Sequence, residues 1–299
     1  MFIFTRFDSP KPRSCVKPDD LASDGSRCGK RASEGSNKKP TLKKNHTVSF
    51  PGTVKTAQVE KHLDNLASVD PDIAERLDRV KAVVTKLNLR MVASKDNATM
   101  KEYEQVQRQM TPDDRKVINE TLQDTEAKGG KRIDALNYRL GKHKGAYGYA
   151  FNDTSYIVVD GDWGSDVTRM GAKRYINRTR RMLENDEVKT MSKIARLNPI
   201  PGFDANVITY LHEMGHKINF KAEAESVINT YSPKKTGITA YGRGELAGMD
   251  RFYAVDHAQK ENFAESFVAW VVAPDILKDR SPKMYDLVEL SMKMLEEKR

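Results

Sequence analysis

Cysteine and long apolar runs are scarce in this chain of 299 residues. Its two cysteines, Cys15 and Cys28, are too few to build a disulfide framework. No stretch approaches the roughly 18 consecutive apolar residues that a membrane-spanning helix needs, and the best run, 263–273, is short and interrupted. Arg6 and Asp8 break the apolar start of the chain, so no secretory signal peptide is expected. These absences argue against a disulfide-stapled secreted domain and against a membrane-spanning protein.

Positive charge is concentrated at the beginning of the chain. Residues 1–50 contain eleven Lys or Arg and five Asp or Glu, which gives +6 of the net charge of +9. The same segment is rich in Ser, Gly and Pro, and its few aliphatic residues cannot offset the entropy lost on ordering. We therefore predict a disordered basic tail over 1–52 and a folded domain over 53–299. The tail is expected to be a contact for nucleic acid or another acidic partner, a delivery signal, or a linker.

Apolar periodicity after the tail predicts an α+β domain that is mostly helical and has a small mixed sheet. Predicted helices cover 54–87, 112–128 and 167–191, and predicted strands cover 88–93, 146–151 and 155–159. Asp70 and Pro71 divide the first helix, because Asp is a favourable N-cap and Pro a favourable first helical residue. The last two strands meet at Asn152–Asp153, which is typical of a hairpin turn.

The most specific chemical pattern of the chain follows Asp204, which is expected to cap an amphipathic helix. That helix carries His212-Glu213-Met-Gly-His216. Histidines at positions i and i+4 project from one helical face, so both imidazoles can reach one tetrahedral Zn²⁺ ion. Glu213 lies one step around the helix, where it can accept a proton from water acidified by the metal. The pattern predicts one zinc ion per chain, with His212 and His216 as ligands and Glu213 as general base.

A catalytic zinc ion needs a third protein ligand, and a second apolar helix offers two carboxylates. Glu261 and Glu265 are again four residues apart, and the flanking Phe263 and Phe267 predict that this helix is buried. Buried acids need partners. One carboxylate is therefore expected to bind zinc while the other accepts the free N–H of a ligating histidine. The expected metal site lies within 204–273.

Other third ligands fit the sequence less well. The metzincin pattern requires Gly at position 219 and His at position 222, where this chain has Asn219 and Ala222. Asp250 weakly resembles the aspartate ligand of aspzincins, although its spacing differs. His257, four residues before Glu261, is more typical of a surface or hydrogen-bonding histidine.

The two motifs together resemble the gluzincin class of zinc metallopeptidases. Within that class they resemble the catalytic domain of anthrax lethal factor and related phage and effector domains. The resemblance covers about 200–299 and rests on four segments: H-E-x-x-H, Tyr241-Gly-Arg, the E-x-F-A-E-x-F run over 261–267, and the closing helix after Ser281. It implies a zincin-like metallopeptidase fold.

The same resemblance assigns a role to each site residue. The implied zinc ligands are His212, His216 and Glu261, with Glu213 as general base and Glu265 supporting a ligating histidine. Tyr241 would donate a hydrogen bond to the oxyanion. Tyr253 is a rival donor, because the stretch 244–260 is longer than in the family.

The sequence therefore predicts a zinc-dependent endopeptidase that acts on a protein or peptide substrate, as a delivered effector or toxin or as a phage-associated protease. An edge strand of its sheet would align the peptide by β-addition. The alternative is a virion- or nucleic-acid-associated structural protein that carries a non-proteolytic zincin-like domain and a basic arm. The expected location is the cytoplasm, a virion, or a target reached by a non-classical delivery route.

Overall fold

A computed structural model describes residues 56–94, 98–143, 146–160, 167–245 and 255–298. The predicted basic tail over 1–52 lies outside the described residues, as do two alternative site residues, Asp250 and Tyr253. Within the described ranges, no helix combines the length and apolar character needed to cross a membrane.

Helices make up most of the described part of the chain, and a small mixed sheet accompanies them, which confirms the predicted composition of the fold. The helices are α1 (Thr56–Ala67), α2 (Pro71–Lys86), α3 (Met100–Arg108), α4 (Pro112–Ala127), α5 (Arg132–Leu140), α6 (Arg169–Glu184), α7 (Lys193–Arg196), α8 (Asn206–Lys221), α9 (Glu225–Ile228), α10 (Pro233–Thr236), α11 (Val255–Val272), α12 (Pro274–Arg280) and α13 (Pro282–Glu297). The strands are β1 (Arg90–Ser94), β2 (Gly148–Ala150) and β3 (Tyr156–Asp160).

Local sequence explains several of these boundaries. The side chain of Asp70 accepts a hydrogen bond from the Asp72 N–H, and Pro71 occupies the first turn of α2, as predicted. Thr111 caps α4 in the same way by accepting from the Asp114 N–H. These caps satisfy amide groups that have no partner within the helix.

The sheet has the order β1-β3-β2, with β1 parallel and β2 antiparallel to β3. Because side chains alternate between the two faces of a strand, β3 contributes residues to two hydrophobic cores. Ile157 and Val159 join the main core around α8 and α11, whereas Tyr156 and Val158 join a second core with α3, α4 and α5. This arrangement leaves β2 at one edge of the sheet, beside α8.

The three strands begin and end within two residues of their predicted ranges. Two differences at helix ends have a local structural cause. The helix predicted over 167–191 ends at Glu184, because Asp186 has a left-handed backbone conformation (φ 57°) that a right-handed helix cannot contain. The N-cap of α8 is Ala205 rather than Asp204. Asp204 still satisfies one amide of the first turn, since it accepts a hydrogen bond from the Asn206 N–H at 2.8 Å.

Helices α3 and α5 were not predicted from the sequence. Each has nine residues, so each offers too few turns for a clear apolar stripe. A local signal for α3 does exist, because Thr99 and Glu102 form a capping box at its start.

Candidate metal centre

Helices α8 and α11 are in close contact at Gly215. A Cβ atom at this position would lie 2.9 Å from Ala264 Cα and 3.1 Å from Phe267 Cβ. Phe263 and Phe267 are fully buried, as their place in the sequence predicted. The contact at Gly215 therefore brings the polar residues of the two helices together inside an apolar surround.

Three side chains converge between these helices. Glu261 Oε2 lies 3.0 Å from His212 Nε2 and 3.4 Å from His216 Nε2. All three potential ligand atoms lie within 4.8 Å of one another. Two ligands that are each about 2.0–2.1 Å from a tetrahedral zinc ion are about 3.3 Å apart, so these separations suit a shared metal. His212, His216 and Glu261 could hold a metal ion.

Glu265 lies on the opposite side of the His212 ring from Glu261. Its Oε1 is 2.9 Å from His212 Nδ1, and its Oε2 accepts a hydrogen bond from the Met191 N–H at 2.8 Å. The side chain is 1% exposed. Both carboxylate oxygens of Glu265 therefore have a partner. The contact at Nδ1 orients the His212 ring so that Nε2 faces Glu261.

The two glutamates also set the electrostatics of His212. Burial lowers the pKa of this imidazole, but the hydrogen bonds with Glu261 and Glu265 outweigh burial and raise the pKa well above its ordinary value of 6.5. A bound metal cation would favour the neutral ring instead, because a ligating nitrogen must be free of its proton. Negative charge around His212 thus suits either a proton or a metal ion.

Glu213 is buried beside the three converging side chains and next to strand β2. A Cβ atom on Gly148 would lie 2.9 Å from Glu213 Cγ and 2.8 Å from Thr209 Cγ2, so glycine lets the edge strand approach α8 at this level. Burial raises the pKa of Glu213 above its ordinary value of 4.5. Its carboxylate is therefore more basic than one exposed to water.

Tyr241 lines the same cleft as the converging side chains. Its ring centroid is 6.3 Å from that of His212, and its N–H donates to the Lys189 carbonyl oxygen at 2.9 Å. The structure thus places Tyr241 near the candidate centre. The rival Tyr253 and the alternative ligand Asp250 are outside the described residues, and at His257 only the backbone of α11 is described.

The candidate centre lies in a cleft of about 670 Å³. One wall is formed by α8, and a neighbouring wall is formed by strand β2 with the turn that follows it. Gly148 and Ala150 form part of this wall beside Glu213. An extended chain could therefore lie along the edge strand, beside the candidate centre.

Lys217 joins the two walls, and the sequence analysis did not single it out. Its side chain is fully buried in α8, and Nζ donates to the carbonyl oxygens of Phe151 and Thr154 and to the Thr154 hydroxyl. Burial lowers the pKa of Lys217 to about 8. A lysine in the turn directly after His216 gives no sequence signal of burial, since lysine is usually exposed.

Two further contacts of the site differ in whether the sequence could have revealed them. Gly215 within the H-E-x-x-H motif is a detectable sign of close helix packing, because an isolated glycine in a helix often has a packing reason. The Met191 amide that holds Glu265 has no such sign, since every non-proline residue carries a backbone N–H.

Comparison of the chain with protein-family models, with curated proteins and with solved structures gives no match. The functional argument therefore depends on the geometry of the site and on the motifs of the sequence.

Proposed function

We propose that this protein is a zinc-dependent endopeptidase with a zincin-like domain. The observation that carries the proposal is the convergence of His212 Nε2, His216 Nε2 and Glu261 Oε2. Two imidazoles and one carboxylate form a donor set that zinc accepts in catalytic sites, where three protein ligands leave one position open. Zinc, when bound there, would supply a Lewis acid that polarises a carbonyl group and acidifies water.

Glu213 is the proposed general base. It lies in the cleft beside the candidate ligands, and its raised pKa brings its basicity closer to neutral pH. It would accept a proton from the attacking water and later deliver that proton to the leaving amine. Glu265 would hold the His212 ring through Nδ1, which keeps Nε2 directed at the metal position.

Strand β2 and Tyr241 would bind the substrate. The outer edge of β2 would pair with the substrate backbone, as exposed sheet edges do with extended peptides. Tyr241 would donate a hydrogen bond to the oxygen of the scissile carbonyl as negative charge develops. The resemblance of the two motifs to gluzincins supports the same assignment of roles, with a phage protease or a delivered effector as the biological setting.

The decisive experiment compares wild type with Glu213→Gln. Both proteins are expected to contain about one zinc ion per chain by elemental analysis, and the variant is expected to lose cleavage of peptide libraries by about 10²-fold or more. A Glu245→Gln control changes an exposed glutamate and should keep full activity. Equal cleavage by Glu213→Gln and wild type would reject the mechanism. Zinc-loaded wild type that cleaves nothing would favour the structural alternative with a basic arm.

A further inference from the structure

Beyond His216 the cleft has an aromatic end, formed by Tyr138, Phe151, Asn219 and Phe220. Tyr138 is 54% exposed and Phe220 is 37% exposed, although both are large apolar side chains. Exposed aromatic groups beside a catalytic cleft are typical of a binding surface rather than of a core.

Neighbouring side chains fix the geometry of this end. The Phe151 ring packs against Tyr138 and Tyr149, with centroid distances of 5.3 Å and 5.2 Å. The guanidinium carbon of Arg139 lies 4.6 Å from the centroid of Phe151. A ring held on several sides loses little freedom when a ligand binds, so the surface is pre-organised.

The charges of Arg139 and Asp153, near the aromatic end, are directed at each other. Arg139 donates through both terminal nitrogens to Asp153, at 2.9 and 3.0 Å, and through Nε to the Thr121 hydroxyl at 2.9 Å. An acidic ligand would have to compete with this bidentate pair. The surface that Phe151 and Tyr138 present is therefore better suited to an apolar ring than to a charged side chain.

Asn219 adds a polar group to the same place. It is buried on α8, between the levels of His216 and Phe220, and its side-chain oxygen accepts no hydrogen bond from the described residues. Buried acceptors normally have a donor. The Asn219 oxygen is itself closed to solvent, so the contacts that this end offers to a ligand are those of its aromatic rings.

The directions of β2 and α8 place this end relative to the metal position. Gly148 lies beside Glu213, whereas the Phe151 carbonyl oxygen contacts Lys217 one helical turn farther along. The two elements therefore run in the same direction. Antiparallel pairing is the more stable pairing per residue. A peptide added antiparallel to β2 would run from Phe151 towards Gly148. Its residues near Phe151 would therefore precede the scissile bond. Gly148 and Phe151 are about 10 Å apart along a strand, or about three residues.

We propose that the aromatic end of the cleft is a specificity subsite for a large aromatic side chain, about three residues before the scissile bond of the substrate. This inference rests on the proposed peptidase function. It narrows the substrate class to polypeptides with Phe, Tyr or Trp at that place. The ring would stack against Phe220 and Tyr138.

The test is cleavage of a randomised dodecapeptide library by the zinc-loaded full chain, with products sequenced by mass spectrometry. Wild type is expected to select aromatic residues two to four positions before the cleaved bond. For a peptide with Phe at the selected position, Phe220→Ala should lower kcat/KM about tenfold, while the matched peptide with Ala should be cleaved equally by both proteins. Leu290→Ala, which removes an exposed apolar side chain from α13, is the control and should behave as wild type.

Two outcomes would overturn the inference and leave the peptidase function standing. One is cleavage by wild type without aromatic preference, and the other is an unchanged preference in both Phe220→Ala and Tyr138→Ala. If zinc-loaded wild type cleaves no peptide, the proposed peptidase function is wrong, and a binding assay then tests the aromatic subsite separately. Fluorescein-labelled Gly-Ser dodecapeptides with one central Phe or Ala would then be compared by fluorescence anisotropy. Tighter binding of the Phe peptide that is lost in Phe220→Ala supports an aromatic subsite, and equal binding overturns it.

Discussion

Lys217 Nζ donates a hydrogen bond to the Thr154 carbonyl oxygen at 2.6 Å, which joins the helix of the two histidines to the turn after the edge strand. The same ammonium group also contacts the Thr154 hydroxyl and the Phe151 carbonyl oxygen. A buried ammonium group is stable only when its protons have acceptors. Lys217 thus holds the turn after β2 against α8.

Replacing Lys217 by Met should therefore loosen the turn at 151–154. Two carbonyl oxygens would lose their donor, which is expected to reduce the free energy of unfolding by about 1–3 kcal/mol. Chemical denaturation measures this loss, and hydrogen exchange should show faster exchange in the turn. Lys116→Met changes an exposed lysine on α4 and should have little effect. Unchanged exchange in 151–154 would contradict a role for Lys217 in holding the turn.

Glu261 and Glu265 should respond differently when each is replaced. Glu261→Ala removes a proposed ligand, and zinc content by elemental analysis should fall sharply. Glu265→Gln keeps the ligands but weakens the hold on His212 Nδ1, so zinc affinity should fall about 10- to 100-fold. Competition with a chromophoric chelator measures the affinities. Undiminished zinc in Glu261→Ala would transfer the third ligand to Asp250, His257 or Glu265.

Tyr241→Phe tests the proposed oxyanion donor. Loss of one such hydrogen bond is expected to lower kcat about 10²-fold while KM and zinc content stay close to those of wild type. Steady-state kinetics on a cleaved library peptide measure the two constants separately. If Tyr241→Phe keeps its kcat and Tyr253→Phe loses it, the donor is Tyr253.

Gly215→Ala tests the contact between α8 and α11. The new methyl group would lie 2.9 Å from Ala264 Cα, and backbone atoms cannot yield as a flexible side chain can. We expect a loss of about 1–3 kcal/mol in stability together with weaker zinc binding, because the histidines would move away from Glu261. Thermal unfolding and zinc titration measure the two effects. Lys221→Ala, near the end of the same helix, controls for general effects on α8. Normal stability of Gly215→Ala would contradict the prediction, because it would show that the helices can separate without loss of stability.

Glu289 should contribute stability that is lost in acid. Burial raises the pKa of Glu289, but hydrogen bonds from Trp270 and Arg79 outweigh burial and lower the pKa below its ordinary value of 4.5. As pH falls through this range, the unfolded chain takes up the proton first, so the folded state loses stability. Between about pH 6 and about pH 3, wild type should lose more stability than Glu289→Gln. Denaturation curves at several pH values test this, and parallel losses in both proteins would contradict it.

The residues of the candidate centre could be found in the sequence because helical periodicity determines which side chains share a face. His212 and His216, and Glu261 and Glu265, are each four residues apart. The partners that come from elsewhere in the fold could not be found in this way. The Met191 N–H reaches Glu265 across 74 residues, and no local pattern records such a contact.

Errors in the predicted fold have similar physical causes. Helices α3 and α5 are short and polar, and their burial depends on the second core that they form together with β3. The end of α6 depends on the backbone conformation of Asp186, a residue type that occurs both within helices and after them. Tertiary packing determines these features, and local propensity does not.

The pairing of β1 with β3 has a consequence for the order in which the chain folds. The Ser94 hydroxyl donates to the Val159 carbonyl oxygen although the two residues are 65 positions apart. Helices α4 and α5 lie between these strands in the sequence and contact each other locally. Contacts between distant residues pay a larger loop-closure entropy and form more slowly than local ones. The helical layer over the second core and the local hairpin of β2 and β3 are therefore expected to form early. The pairing of β1 and the docking of the hairpin on α8, where Lys217 contacts Phe151 across 66 residues, are expected to follow more slowly.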